Sequence, residues 1–155
     1  MKGMKGDVIF RYQLLTAWGS LICEAVVRKT DAGAVISSHT DEKKQKRLSV
    51  GIDIVERIQN IVSERKAVFA YNELEYPAML DGMQQKFVFS TENRKKKFVA
   101  WNIGKVHSPH AIFHDPRTLE KVDRPEKAME VVRLFEEISA VLIKAGVNEK
   151  CLRLC

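Results

Sequence analysis

The sequence contains no long hydrophobic segment. No apolar run in its 155 residues approaches the ~18 that a membrane-spanning helix needs. Its basic start leads directly into a strand-like segment, without the longer apolar stretch and small-residue cleavage site of a secretory signal. We therefore expect no membrane association and a cytoplasmic location.

Cysteines are few and odd in number. A secreted protein of this size would usually carry a paired set, whereas this chain has three. Cys23 lies in a strand-like run, where we expect it to act as a small buried hydrophobe. Cys151 and Cys155 fall within the last five residues, where chain order is lowest, and we expect a frayed tail there.

Recognisable catalytic motifs are also absent. A serine hydrolase of the common type shows a G-x-S-x-G elbow, and phosphate-binding enzymes usually show a glycine-rich loop between a strand and a helix. Neither occurs, and the eight glycines are scattered. Acidic pairs such as Glu73/Glu75 and Glu136/Glu137 stand in polar surroundings, which do not predict the burial that tunes a catalytic carboxylate. Enzymatic activity is left without support, and no catalytic residue or cofactor is predicted.

The composition is that of an ordinary globular domain. Apolar residues make up 45% of the chain and charged residues 30%. A chain of this length buries roughly 70% of the surface that its unfolded form exposes. It therefore needs neither a disulfide nor a metal to hold a core. We predict one domain over residues 1–148 and a C-terminal tail over 149–155.

Two copies of one pattern run through the sequence, each a strand pair followed by an amphipathic helix. Several segments alternate apolar and polar residues, which is typical of strands with one buried face. Phe87 and Phe89, for example, share a face in the second copy. The predicted strands are 10–15, 21–28, 34–40, 47–50, 86–90 and 98–103.

Two longer segments carry apolar residues at spacings of three and four, which predicts helices over 52–65 and 128–145. Ser49 is a candidate N-cap for the first helix, and Gly146 suits the left-handed position after the second. The order β-β-β-(β)-α-β-β-α predicts an α+β fold, in which an antiparallel sheet of five to six strands carries both helices on one face. The stripes comprise Ile54, Val55, Ile58, Ile61 and Val62, then Val131, Val132, Phe135, Ile138 and Leu142.

The basic excess is confined to two short runs. The formal charge is +6, from 26 basic and 20 acidic residues; without the eight cations of the runs, 18 basic residues face 20 acidic ones. Such runs can neutralise phosphates of a nucleic acid or another polyanion, with Trp18, Phe98 and Trp101 as stacking candidates. The alternative is two solvated turns, whose lysines also protect sheet edges. The runs comprise Lys43, Lys44, Lys46 and Arg47, then Arg94, Lys95, Lys96 and Lys97.

Three histidines fall in one long loop. His107, His110 and His114 carry imidazole nitrogens, which are proper zinc ligands. On a helix these spacings would bring all three to one face, but Pro109 and Pro116 argue against a continuous helix. The alternative to a metal site is three partly exposed loop histidines.

Aromatic residues and methionines crowd the middle of the chain. These residue types are enriched at protein interfaces. We interpret Tyr71, Leu74, Tyr76 and Met79 as a candidate surface for a protein partner or for self-association as a homodimer. Packing over one edge of the core is the alternative.

One order of short motifs resembles a known group of proteins. Leu80-Asp81-Gly82, Phe87-x-Phe89 and the return strand over 95–103 resemble a loosely defined set of small proteins from Firmicutes, mainly clostridia. The similarity covers most of the chain in its order of elements, and it implies the same fold and a bacterial cytosolic origin. The set offers no established activity to carry over. The lysine-rich hairpin turn and the longer histidine loop depart from its pattern.

These observations give three function hypotheses in order. The first is a non-catalytic module that binds a protein partner or a ligand. The second is a protein that binds nucleic acid or another polyanion through the two basic runs. The third is a metal-dependent activity at the three histidines.

Overall fold

The described part of the chain forms a large sheet and two long helices. The structure, a computed structural model, describes residues 7–16, 18–42, 44–70, 73–75, 83–101, 113–114, 121–122 and 126–154. The strands are β1 (Asp7–Leu15), β2 (Leu21–Thr30), β3 (Gly33–Thr40), β4 (Lys46–Val50), β5 (Glu73–Glu75), β6 (Gln84–Ser90), β7 (Lys95–Trp101), β8 (Phe113–His114) and β9 (Lys121–Val122). The helices are α1 (Ile52–Glu64) and α2 (Glu126–Ala145), and short 3₁₀ helices cover Lys66–Ala70 and Glu149–Leu152.

Seven strands form the large sheet, in the order β4-β3-β2-β1-β6-β7-β5. Neighbouring strands pair antiparallel from β4 to β7, and the short β5 adds to β7 in parallel. β8 and β9 form a separate two-stranded pair. The predicted α+β class, with an antiparallel sheet and two helices, is confirmed. The two predicted hairpins join because β1 pairs with β6.

One face of the sheet, the inner face, builds the core. Alternation along β1 places Phe10, Tyr12 and Leu14 on this face, where all three are fully buried. Phe135 of α2 packs onto them, with its ring centroid 4.4 Å from that of Tyr12 and 6.3 Å from that of Phe10. Such rings contribute much of the folding free energy because each removes a large apolar area from water.

The apolar stripe of α1 packs on the same face. Val55, Ile58 and Val62 are buried, and Ile54 and Ile61 are partly buried against the core, as the spacing predicts. Since both helices contribute to one buried cluster, the opposite face of the sheet carries no helix among the described residues. We call that opposite face the outer face.

The start of α1 differs from the prediction. Ser49 is not the N-cap, because it belongs to β4 and pairs there with Val35. The N-cap is Gly51, which makes no side-chain hydrogen bond, and its carbonyl accepts from the N–H of Ile54 at 3.2 Å. The strand continues to Val50, so a single residue joins it to the helix and the serine lies too early to cap.

The C-terminal segment is folded, and the prediction of a frayed tail is wrong. Gly146 has a φ of +119°, so it ends α2 with the positive φ expected there. The chain then forms the 3₁₀ helix Glu149–Leu152, and the Tyr12 hydroxyl donates a hydrogen bond to the carbonyl of Arg153. The burial of apolar side chains offsets the disorder expected near a terminus. Three of them join the core: Cys151, Leu152 and Leu154.

Candidate functional site

A continuous row of side chains crosses six strands on the outer face. Its members are directly paired neighbours in the sheet register, so they form a line perpendicular to the strands. With strands ~4.8 Å apart, the row spans about 24 Å from β4 to β7. We call it the basic row; it runs through Arg47, Ser37, Val26, Arg11, Val88 and Lys97.

Neighbouring positions add further positive charge. Arg28 on β2 and Lys86 on β6 each lie two residues from a member of the basic row, so both share the outer face. Within the described ranges, Arg28 and Lys86 form no ion pair, and the three cations of the row, Arg47, Arg11 and Lys97, form none either. Lys95 also occupies an outer position, but its ammonium donates to the carboxylate of Asp7. The described part of this face thus holds five cations without an ion-pair partner.

The sheet divides the two predicted basic runs between its faces. Arg47 and Lys97 occupy outer positions, whereas Lys46 pairs with Ser38 and Lys96 with Phe89, both inner positions. The two runs therefore do not form one cluster, and each supplies one unpaired cation to the basic row.

The other members of the runs have different surroundings. Arg94 places its guanidinium over the ring of Phe69, 4.4 Å from the centroid, which gives it a packing role in the β6–β7 turn. Lys44 is exposed in the segment before β4. Lys43 lies outside the described residues.

Sequence reasoning missed Arg11, Arg28 and Lys86. The available signal was their position in strands: Arg11 stands between two apolar residues, and Arg28 and Lys86 each have one apolar neighbour in the sequence. Alternation alone predicts that such residues point away from the core. It does not predict that they lie side by side, because that depends on the pairing register between strands.

A depression of about 230 Å³ lies at the β1–β4 side of the basic row. Arginines from three strands line it, and the Nε atom of Arg11 is buried there without a hydrogen-bond partner. Val26 and Ser37 are the small members of its lining, and both are buried. The full lining is Arg11, Glu24, Val26, Arg28, Ser37, Gln45 and Arg47.

Glu24 is the acidic residue of this depression, and it faces polar neighbours other than the arginines. The side-chain amide of Gln13 donates to one carboxylate oxygen of Glu24. The other oxygen lies 3.8 Å from Nδ1 of His39, which is buried and makes no hydrogen bond. The carboxylate forms no ion pair with Arg11, Arg28 or Arg47, and the depression, with three arginines and one glutamate, keeps a net positive charge.

Trp18 projects from the turn between β1 and β2. It is 92% exposed, so it offers an aromatic face to solvent at that end of the hairpin. The side chains of Phe98 and Trp101, the other stacking candidates, lie outside the described set.

The thiol of Cys23 is poorly suited to nucleophilic chemistry. The side chain is fully buried on β2, and burial raises its pKa to about 11. Thiol reactivity depends on the thiolate, so Cys23 is unreactive at neutral pH. This agrees with its predicted role as a small core residue.

A groove of about 840 Å³ lies between α2 and the C-terminal segment. Phe135, Leu152 and Leu154 supply apolar lining, and Ile143 is 43% exposed. Charged residues of both signs also line the groove, so it has no single electrostatic character.

Several predicted site residues fall outside the described ranges. They include three of the four interface candidates, Tyr71, Tyr76 and Met79, and two of the three histidines, His107 and His110. Leu74 lies in β5, whose backbone pairs with β7, and His114 lies in β8, whose backbone pairs with β9. Over the residues that are described, no group of three His, Cys, Asp or Glu side chains could hold a metal ion. The interface and metal hypotheses stay predictions.

Comparison with known proteins gives no assignment: no protein-family model matches the chain, and a search of curated proteins finds no match. In the described part of the chain, neither helix has the length and apolar character needed to cross a bilayer. The candidate site therefore rests on the geometry of the basic row.

Proposed function

We propose that this protein is a non-catalytic binding module whose outer sheet face binds nucleic acid, in single-stranded form. The observation that carries the proposal is the basic row, with Arg47, Arg11 and Lys97 on one line across six strands. Arg28 and Lys86 flank that line. Cations on such a surface bind phosphates by releasing condensed counterions.

The size of the row suits a nucleic-acid strand. Phosphates of one strand in a duplex lie ~3.4 Å apart along the axis, so the ~24 Å between Arg47 and Lys97 can face about seven phosphates at most, and fewer on an extended strand. This length falls within the roughly 4–16 nucleotides that single-strand-binding folds cover.

Shape and aromatic exposure favour a single strand. A sheet face lies along an extended strand, whereas a duplex groove admits a helix or a two-stranded ribbon. Trp18 is exposed beyond the end of β1 and offers a surface on which a base can stack. A cytoplasmic setting is part of the proposal, and the buried thiol of Cys23, which forms no disulfide, supports it.

The experiment is a salt titration of binding to a labelled oligonucleotide of roughly 15 nucleotides. Fluorescence anisotropy measures the affinity between about 50 and 200 mM salt. If the five unpaired cations each neutralise one phosphate, the logarithm of the binding constant falls against the logarithm of salt with a slope of about −3.5.

Two competitors identify the class of polyanion. Heparin and vesicles of anionic phospholipid are titrated against the same complex. Stronger binding to the oligonucleotide than to either competitor supports the proposal. Binding to heparin or vesicles without binding to the oligonucleotide overturns it, as does an affinity that does not change with salt.

A further inference from the structure

The depression beside the basic row brings three guanidinium groups together. Arg11 and Arg47 belong to the row itself, three strand spacings apart, or about 14 Å between Cα atoms. Arg28 lies on β2 between them, two residues along from Val26. The side chains of all three line one cavity of about 230 Å³.

Small side chains make the space into which the arginines project. Val26 and Ser37 are the two row members between Arg11 and Arg47, and they are 3% and 8% exposed. Neither reaches as far from the sheet as an arginine does, so long side chains surround a floor of short ones. The hydroxyl of Ser37 supplies a hydrogen-bond donor at that floor.

Positive charge exceeds negative charge in the depression, where three arginines face the single carboxylate of Glu24. Arg11, Arg28 and Arg47 form no ion pair in the described parts of the chain, and the Nε of Arg11 is buried with no acceptor. Like charges held close together repel. An oxyanion in the depression lowers this repulsion, and guanidinium groups match phosphate geometry with forked hydrogen bonds.

We propose that this depression is a phosphate-binding subsite, in which the guanidinium groups of Arg11, Arg28 and Arg47 and the hydroxyl of Ser37 hold one phosphate group. The inference rests on the proposed function, since the phosphate would be one of the bound strand. That phosphate is either a terminal monoester or an internal diester, and both present the same oxyanion chemistry.

The first arm of the test uses inorganic phosphate alone. Phosphate is titrated into labelled protein at constant ionic strength, and NMR follows the Nε–H signals of the arginines and the amide of Ser37. The expected result is saturable shifts at Arg11, Arg28 and Arg47. Shifts no larger than those caused by chloride overturn the subsite.

The second arm uses variants that keep the charge. Arg11→Lys and Arg47→Lys retain a positive charge but lose the paired N–H donors of the guanidinium group. We therefore expect phosphate to bind about tenfold more weakly to each variant. Arg47 is exposed on β4, so Arg47→Lys serves as the second variant if Arg11→Lys fails to fold. The matched control is Arg133→Lys on α2, whose side chain is exposed on the helix side. Equal affinities for Arg47→Lys and the control overturn the inference.

The third arm separates the subsite from the proposed function and identifies the source of the phosphate. Oligonucleotides with and without a 5′-phosphate are compared. If the phosphorylated strand binds more tightly and Arg47→Lys abolishes that difference, the bound group is a terminal monoester. If both strands bind equally and Arg47→Lys weakens the binding of both, it is an internal diester. Salt-dependent strand binding without any phosphate response overturns the subsite and leaves the function standing. A phosphate response without strand binding overturns the function and leaves a small-anion site.

Discussion

Arg47 on β4 and Lys97 on β7 lie on the same cross-strand row of the sheet, although four strands separate them. Each is the unpaired outer-face cation of a different basic run. Arg11 lies between them on β1. The row therefore joins residues that are distant in sequence into one line, and its alignment depends on the register of the whole sheet.

The first prediction concerns the salt dependence of strand binding. The double variant Arg47→Gln/Lys97→Gln loses two phosphate contacts. In a plot of the logarithm of the binding constant against the logarithm of the salt concentration, its slope should be shallower than that of the wild type by about 1.4. Anisotropy titrations measure it. The control, Lys144→Gln/Lys150→Gln, makes the same charge change at exposed positions on α2 and the C-terminal segment. Equal slopes in both variants would show that net charge, and not the row, governs binding.

The second prediction concerns the acidic residue of the depression. Glu24→Gln removes a negative charge beside the proposed phosphate while it keeps an acceptor for Gln13. A unit charge at ~4 Å in water is worth about 1 kcal/mol, so phosphate affinity should rise about fivefold. NMR titration measures the change. Glu56→Gln, at an exposed position of α1, is the control and should leave the affinity unchanged. A weaker affinity in Glu24→Gln would contradict the subsite.

The third prediction concerns the titration of Cys23. Its pKa in the folded protein is raised by burial to about 11, against 9.0 for an ordinary thiol. The folded state therefore holds this proton more tightly, so the associated stability is complete below pH 9 and is lost as pH rises toward about 11. Urea denaturation across this range should show a steeper loss of unfolding free energy in the wild type than in Cys23→Ala.

Alkylation checks the same residue at neutral pH. Iodoacetamide should modify Cys23 in urea and not in the native protein, because both the low thiolate fraction and the burial protect it. Rapid modification of Cys23 under native conditions, or parallel pH profiles for the two proteins, would contradict the raised pKa.

The sequence predicted those features that depend on local periodicity. The six predicted strands, which correspond to β1–β4, β6 and β7, follow from alternation, and the stripe of α1 and the positive φ of Gly146 follow from helical spacing and the chemistry of one residue. The short strands β5, β8 and β9 were not predicted, and β8 and β9 lie in the segment predicted to be a loop. The basic row cannot be predicted from local periodicity, because Arg11 becomes the neighbour of Val26 and Val88 only through the pairing of three strands.

The errors have physical causes of the same kind. Ser49 has the chemistry of an N-cap, but the strand that contains it continues to Val50. The C-terminal segment lies where a frayed tail is expected, but Leu152 and Leu154 are members of the buried core cluster, which the sequence alone does not predict. Tertiary packing decides both cases, and local propensity does not report it.

The fourth prediction concerns the link between the helices. Arg65, which follows α1, donates to Glu130 at 2.9 Å and to both oxygens of Glu137 at 2.9 and 3.2 Å on α2. The three side chains are 26%, 24% and 42% exposed, so solvent screens the pairs in part. Arg65→Met should lower the unfolding free energy by about 1 kcal/mol.

Urea denaturation measures this loss, and Arg57→Met is the matched control at an exposed position of α1. Arg65→Lys should lie between wild type and Arg65→Met, because one ammonium keeps the charge but cannot bridge both carboxylates in the same way. The difference between Arg65→Met and wild type should shrink at high salt. No difference between Arg65→Met and Arg57→Met would show that the bridge contributes nothing measurable.

The fifth prediction tests whether the C-terminal segment belongs to the core. Leu152 is 7% exposed and packs in the core cluster, so Leu152→Ala leaves a cavity in addition to the lost transfer free energy. We expect the unfolding free energy to fall by about 2–3 kcal/mol, and the melting temperature by several degrees. Lys150→Ala, an exposed position in the same 3₁₀ helix, should stay within about 0.5 kcal/mol of wild type. If the two variants melt together, residues 149–154 do not contribute to the core, and a frayed tail is restored as the better description.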